Sequence, residues 1–162
     1  MKGFYRWAVM AVCACLLALP ATAAPYKSEY KLSVVPGATS GWGMTGTFFA
    51  DLVRERSQGR INIKVYHSSQ LLAGKQTSEF LLLRNGAIDF ALASTINWSP
   101  QIKELNLPAL PFFLAVQPDR YKAMDAILAG KSGKMMTQAV EKKGVKTVSY
   151  THLRAHETLM NL

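Results

Sequence analysis

Cysteine is nearly absent from this sequence, and its only two copies, Cys13 and Cys15, lie within the first 20 residues. The chain after residue 23 has no thiol, which excludes a disulfide, a cysteine metal site and a cysteine nucleophile there. A fold without disulfides depends on its apolar core, and about 120 residues suffice to build one.

Acidic residues are also few, ten against 19 lysines and arginines, for a formal net charge of +9. Leaving out Lys2 and Arg6 reduces this charge to +7. The remaining basic residues are scattered, and only Lys142 and Lys143 are adjacent. A nucleic-acid site would cluster them among aromatic residues. We therefore predict a solvated basic surface and no nucleic-acid partner.

Histidine is rare, and the sequence offers little that could perform catalysis. His152 and His156 stand four residues apart beside Glu157, a spacing that could hold a metal on a helix face, but no third ligand is evident. Neither a Ser/His/acid set nor a pair of carboxylates can be named. We predict no catalytic residue, no metal, no cofactor and a protein that is not an enzyme.

Long apolar runs are absent except at residues 7–19. Lys2 and Arg6 precede this run, Pro20 ends it, and small residues follow at 21–23. It is shorter than the roughly 20 residues that a membrane-spanning helix needs. The pattern is typical of a secretory signal peptide over residues 1–23. Cleavage after Ala23 keeps Pro25 away from the cleaved bond and leaves an exported protein that does not span the membrane.

The rest of the chain alternates between strand and helix patterns. Period-two or continuous apolar segments predict strands, and apolar residues at helical spacing predict helices. The predicted strands are 30–35, 60–66 and 88–93, the last buried on both faces, and a further strand begins at 144–147. The predicted helices are 45–57, whose apolar face carries Phe48, Phe49, Leu52 and Val53, then 75–85, 118–128 and 134–143.

Two segments break this alternation. Residues 94–100 are predicted to form a polar loop, and the proline-interrupted residues 107–113 a buried, non-helical crossing. Strands that alternate with helices predict an α/β fold with a parallel sheet and right-handed crossovers.

Ligands of open α/β sheets bind beyond the carboxyl ends of the strands. Three loops rich in small polar residues fit this description, at residues 36–42, 67–70 and 94–98. The first precedes a helix N-terminus, which favours an anion. Both tryptophans of these loops could instead belong to the core. The candidate ligand-binding residues are Thr39, Trp42, Gln70, Thr95, Asn97 and Trp98.

Residues 41–46 read G-W-G-M-T-G, a literal match to the dinucleotide-binding fingerprint. Five residues separate it from the preceding strand, where the true motif turns at once. The acidic residue expected about 20 positions later is missing. Export also separates the chain from cytoplasmic nucleotides. We therefore consider a dinucleotide-dependent or metal-dependent exported enzyme only as an alternative.

Three motifs in this order resemble the TRAP (tripartite ATP-independent periplasmic) transporter substrate-binding proteins. They are R-S-Q-G-R-I-N-I-K-V-Y followed by S-S-Q-L at 56–71, N-G-A-I-D-F-A-L-A-S-T at 85–95, and E-L-N-L-P-A-L-P-F-F at 104–113. The resemblance covers residues 30–147.

The resemblance implies an α/β fold, here the incomplete first lobe of a two-lobe, type II-like periplasmic solute-binding protein, with a parallel or mixed sheet flanked by helices. Such a receptor closes on a small organic acid, often a carboxylate, and delivers it to the TRAP permease subunits. A binding module that feeds a sensor is a further alternative. The family usually has an acidic residue just after S-S-Q-L, whereas this chain has Glu79 later. The family's carboxylate-gripping arginine belongs to the second lobe.

The last residues do not resemble the family. Residues 148–158, V-S-Y-T-H-L-R-A-H-E-T, look like a translated sequencing adapter. We therefore predict a signal peptide at 1–23, a truncated N-terminal lobe at 24–147 and a non-native tail at 148–162. On this interpretation His152 and His156 have no biological role.

Overall fold

The computed structural model of this chain describes residues 26–112, 114 and 117–149. The predicted signal peptide, His152, His156, Glu157 and the tail after residue 149 lie outside the described residues. In chain order the helices and strands are β1 (Tyr30–Val34), α1 (Gly41–Arg56), β2 (Ile63–Tyr66), 3-10 helices at Gln70–Leu72 and Gln76–Ser78, α2 (Glu79–Arg84), β3 (Phe90–Leu92), α3 (Thr95–Trp98), a 3-10 helix at Lys103–Ala109, α4 (Arg120–Ala129) and α5 (Lys131–Glu141).

The three strands form one parallel sheet in the order β2-β1-β3. Leu32 of β1 is paired with Val65 of β2 on one side and with Phe90 of β3 on the other. The predicted β-α-β-α-β order and the parallel sheet are thus confirmed. β3 lies at an edge of the described sheet and is half-buried, so the prediction that it is buried on both faces was wrong for this part of the chain.

One face of the sheet is covered by α1. Leu32 and Val34 point to this face because alternate residues of a strand share a side, and they form a buried cluster with Ala50 and Ile63. The buried residues of α1 are Gly43, Gly46 and Ala50. Phe48 is 60% exposed, so the predicted apolar face was wrong there, whereas the Phe49 ring contacts the Phe90 ring and Val53 packs against the cluster. Small residues face the sheet because the helix packs close to it.

The opposite face of the sheet carries a second buried cluster. Ser33, between Leu32 and Val34, points to this side and is 1% exposed. The cluster joins α2, the segment after α3, and α5. Its buried members are Phe80, Ile102, Leu105, Met136, Val140 and Val145.

Several predicted boundaries were wrong. Residues 94–100 contain the short helix α3 rather than only a loop, and residues 103–109 form a 3-10 helix. Phe112 is 84% exposed, so the predicted crossing is neither wholly non-helical nor wholly buried in this chain. Residues 145–149 have no regular structure in place of the predicted strand. The predicted helix 75–85 is divided into a 3-10 turn and α2.

Candidate functional site

The loops that follow β1 and β2 are joined by hydrogen bonds at the carboxyl edge of the sheet. The backbone N–H of Ser68 donates to the carbonyl of Pro36 at 2.9 Å, and that of Ser69 donates to Val34 at 3.4 Å. The Ser69 hydroxyl also donates to the carbonyl of Val35 at 3.3 Å. Two of the three predicted ligand loops are therefore brought together.

Ser68 and Ser69 both have left-handed backbone conformations, each with a φ of 55°. Residues other than glycine rarely adopt this conformation, which costs about 1–2 kcal/mol each. Such strain persists where the surrounding structure imposes it, and it concentrates at binding sites. Here the hydrogen bonds to residues 34–36 hold the two serines, which directly precede Gln70, in this conformation.

The loop after β1 ends at a capped helix. Ser40 accepts the Gly43 N–H on its hydroxyl oxygen at 3.0 Å and donates that hydroxyl to the Gly37 carbonyl at 2.6 Å. Because this cap starts the helix at Gly41, α1 begins four residues before its predicted start. Thr39, the predicted ligand residue of this loop, is exposed.

Two glycines of the G-W-G-M-T-G segment are explained by packing. A β-carbon at Gly43 would lie 2.2 Å from the Gly37 carbonyl oxygen, and one at Gly46 would lie 2.9 Å from Cγ2 of Val34. The lack of a side chain thus lets Gly43 pack against the preceding loop and Gly46 pack against the sheet. The space over Gly43 is filled by this chain's own backbone, which disfavours the dinucleotide interpretation.

Trp42 is half-buried and packs against the cluster of Leu32, Val34, Ala50 and Ile63. This contact gives it a role in the core on the α1 side of the sheet. Gln70 is exposed at the start of the 3-10 helix Gln70–Leu72, whose buried Leu72 anchors it.

Helix α3 carries Thr95, Asn97 and Trp98, all half-buried. The Asn97 amide Nδ2 donates to Oε1 of Gln76 at 3.3 Å. The Trp98 ring lies 5.2 Å from the Phe80 ring, and its indole Nε1–H donates to Oε2 of Glu79 at 3.2 Å. The two tryptophans thus pack on different clusters, on opposite faces of the sheet.

Glu79 is the feature of this region that the sequence did not reveal. It is fully buried, and its Oε1 accepts the Ser33 hydroxyl at 2.6 Å. Burial raises the pKa of Glu79 above its ordinary value, against the opposing effect of the hydrogen bonds from Ser33 and Trp98. The available signal was a lone acidic residue that opens the apolar run E-F-L-L-L.

The six predicted residues do not form one bonded group. None of the hydrogen bonds found within residues 26–149, as far as these are described, joins the side chains of Thr39, Gln70 and Thr95. In the same part of the chain, no cluster of three or more His, Cys, Asp or Glu residues could hold a metal ion. No described helix combines the length and apolarity needed to cross a membrane.

Three parallel strands with helices on both faces define an α/β lobe, and solved structures that resemble it are TRAP periplasmic solute-binding proteins. Residues 32–156 match the family described as bacterial extracellular solute-binding protein, family 7 (DctP), and the chain belongs to this family. The match runs beyond residue 147, where the sequence predicts that the family-like part ends; that boundary stays a prediction.

Three relatives illustrate the similarity. A solute-binding protein of Chromohalobacter salexigens is 32% identical over 102 residues, 63% of this chain and 29% of that protein. The C4-dicarboxylate-binding periplasmic protein DctP of Rhodobacter capsulatus is 27% identical over 135 residues, which cover 83% of this chain and 38% of that protein. A TRAP periplasmic solute-binding protein from Ralstonia eutropha, solved with bound (S)-2-acetolactate, is 54% identical with a TM-score of 0.70, covering 75% of this chain and 37% of that one.

The chain therefore spans between 29% and 38% of the length of these three proteins. All three are named as binding proteins.

Proposed function

We propose that this chain is the first lobe of a periplasmic receptor that captures a small organic acid and delivers it to a TRAP permease, without chemical turnover. The observation that carries this proposal is the family match over residues 32–156. The strand-end loops support it, because ligands of open α/β sheets bind at that edge.

We further propose that the ligand is a small carboxylate with a hydroxyl or keto group. The relative from Ralstonia eutropha, 54% identical to this chain, was solved with (S)-2-hydroxy-2-methyl-3-oxobutanoate bound. The basic net charge of this chain suits an anionic ligand. The DctP of Rhodobacter capsulatus, at 27% identity, is named for C4-dicarboxylates, so succinate is the natural competitor.

The proposed cleft is edged by Thr39, Trp42, Gln70, Thr95, Asn97 and Trp98. Thr39 and Gln70 are exposed and follow β1 and β2, whereas α3 follows β3. These positions suit polar contacts from three neighbouring strands to one ligand. Receptors with two lobes close by a hinge motion, so a half-buried tryptophan at this edge would report closure.

Calorimetry on the complete mature receptor tests the proposal. We expect binding of (S)-2-acetolactate or succinate and none of a neutral amide analogue. Asn97→Ala should weaken binding by about 1–3 kcal/mol, the usual effect of removing one buried hydrogen-bonding partner. Asn106→Ala, at an exposed position of the 3-10 helix Lys103–Ala109, is the matched control.

Trp98→Phe should remove much of the ligand-induced change in fluorescence. If the Asn97 and Trp98 variants both behave like wild type, the ligand site lies elsewhere. Delivery to a permease is tested separately by uptake of the bound acid in cells with and without the permease subunits. A receptor that feeds a sensor would support no such uptake.

A further inference from the structure

One short segment, residues 76–79, holds the segment that contains α3 through three hydrogen bonds. The Gln76 side-chain oxygen accepts from Asn97 at 3.3 Å, and the Thr77 carbonyl accepts from the Gln101 amide at 2.8 Å. Glu79 accepts from the Trp98 indole at 3.2 Å. Two of the three donors are residues of the proposed cleft.

Glu79 connects this arrangement to the sheet. Its other carboxylate oxygen accepts the hydroxyl of Ser33 at 2.6 Å, and Ser33 belongs to the central strand β1. Both residues are at most 1% exposed. A single carboxylate therefore spans from the middle of the sheet to the helix that carries the candidate ligand residues.

This carboxylate has no cationic partner in the described part of the chain, since none of the ion pairs there includes Glu79. Its hydrogen-bond donors are Ser33 and Trp98, and the centroid of the Trp98 ring lies 5.2 Å from that of the Phe80 ring. A buried charge without a counter-ion is costly for stability. Glu79 therefore contributes to the orientation of its neighbours, because its two carboxylate oxygens fix two donors, Ser33 and Trp98, at once.

We propose that Glu79 is a positioning residue for ligand binding, which fixes the Trp98 indole, and with it Thr95 and Asn97, relative to the central strand. Glu79 itself does not contact the ligand. This inference rests on the proposed function and on the location of the cleft at α3.

Two substitutions of Glu79 distinguish the effect of its hydrogen bonds from the effect of its side-chain volume. In Glu79→Gln the amide oxygen can still accept from Trp98, and the amide N–H can donate to the Ser33 oxygen, since a hydroxyl serves as donor or acceptor. Glu79→Met preserves most of the volume but leaves the indole N–H and the Ser33 hydroxyl without an acceptor. Glu104→Gln, at an exposed position in the 3-10 helix Lys103–Ala109, is the matched control.

Affinity for (S)-2-acetolactate and for succinate is measured by calorimetry on the complete mature receptor. We expect Glu79→Gln and Glu104→Gln to bind within about twofold of wild type, and Glu79→Met to bind about tenfold more weakly, equivalent to 1.4 kcal/mol. Urea unfolding measures the accompanying change in stability, since Glu79→Met leaves two buried donors without an acceptor. If Glu79 had only a structural role, the affinity of each variant would fall only to the extent that its stability falls.

The indole N–H resonance of Trp98 gives a readout that needs no ligand. It should move toward the position of a free indole in Glu79→Met and stay near the wild-type position in Glu79→Gln. In a Trp98→Phe background, Glu79→Met should cause a much smaller further loss of affinity, because the donor is already gone.

The outcomes separate this inference from the proposed function. If wild type binds neither acid, the proposed function fails and the inference fails with it. If wild type binds and Glu79→Met binds equally well, or if Glu79→Gln weakens binding as much as Glu79→Met, the positioning role alone is refuted.

Discussion

Gly46 of α1 lies so close to Val34 of β1 that a β-carbon on the glycine would be 2.9 Å from Cγ2 of the valine. Leu32 and Val65 would also be within 3.6 Å of that β-carbon. The first helix can therefore rest on the centre of the sheet only while position 46 has no side chain.

Gly46→Ala should destabilise the mature protein by about 1–3 kcal/mol, the usual effect of overpacking a core. The gain in helix propensity, about 1 kcal/mol, offsets part of the clash. Urea unfolding measures the difference. Glu55→Ala, at an exposed position of the same helix, should change stability by less than about 0.5 kcal/mol. Equal effects at the two positions would contradict the close contact.

The buried Glu79 predicts an unusual pH dependence of stability. Burial raises its pKa above 4.5 in the folded state, so folding favours the protonated form. The stabilising effect of protonation is fully present below the unfolded value and is lost as pH rises through the raised folded value. Glu79→Gln should therefore flatten the stability curve in that window. A wild-type curve that rises there with the same slope as the variant would contradict the assignment.

Asp89 should behave in the opposite way. Partial burial acts to raise its pKa, but hydrogen bonds from the Lys27 ammonium and the Lys31 backbone N–H outweigh this and lower the pKa below 3.8. Its contribution to stability is present above the unfolded value and is lost as pH falls through the lowered folded value. Asp89→Asn should cost about 1 kcal/mol at neutral pH, since the site is partly exposed.

For Asp89→Asn, thermal unfolding at several pH values provides the measurement. The difference between wild type and variant should shrink as pH falls below about 3.8. A difference that stays constant across that range would show that the contact contributes through its shape alone.

Ser68→Gly should stabilise the protein by about 0.5–1 kcal/mol, because glycine adopts the left-handed conformation without the steric penalty of a β-carbon. Ser69→Gly is the matched control. It relieves the same strain but loses the hydrogen bond from the Ser69 hydroxyl to the Val35 carbonyl, so its net gain should be smaller. Urea unfolding of both variants tests this order. A larger gain in stability for Ser69→Gly would contradict a stabilising role of the Ser69 hydroxyl bond.

The predicted signal peptide implies cleavage after Ala23. N-terminal sequencing of periplasmic protein should begin at Ala24, and the intact mass should match a chain without residues 1–23, which include both cysteines. A mature protein that retains Cys13 would be incompatible with this signal peptide.

The sequence predicted the sheet and the family well, because period-two apolar segments and three ordered motifs lie in the regular parts of the chain. It failed where tertiary contacts override local pattern. Large apolar residues suggested the buried face of α1, yet Gly43, Gly46 and Ala50 form it, since close packing favours small side chains. Helix α3 is too short for propensity to specify, and its side chains bond to residues 76–79.

The candidate site was only partly predictable for the same reason. The strand-end rule located the three loops, and the structure joins the first two. An acidic residue at the first turn of a helix normally faces solvent and favours the helix dipole. The burial of Glu79 depends on Ser33 and Trp98, which lie far from it in sequence, so the apolar run that follows Glu79 was only a weak local signal of it.

The central position of β1 also orders the assembly of the sheet during synthesis. β1 is the first strand in the described part of the chain, yet both of its neighbours come later, and Val34 is paired with Leu92. The sheet therefore cannot begin until residue 66 has emerged and cannot be completed before residue 92. Until then the chain directly behind the predicted signal peptide has no strand partner. A nascent chain with this layout therefore has no part of its sheet before β2 is made, and the sheet is complete only after β3.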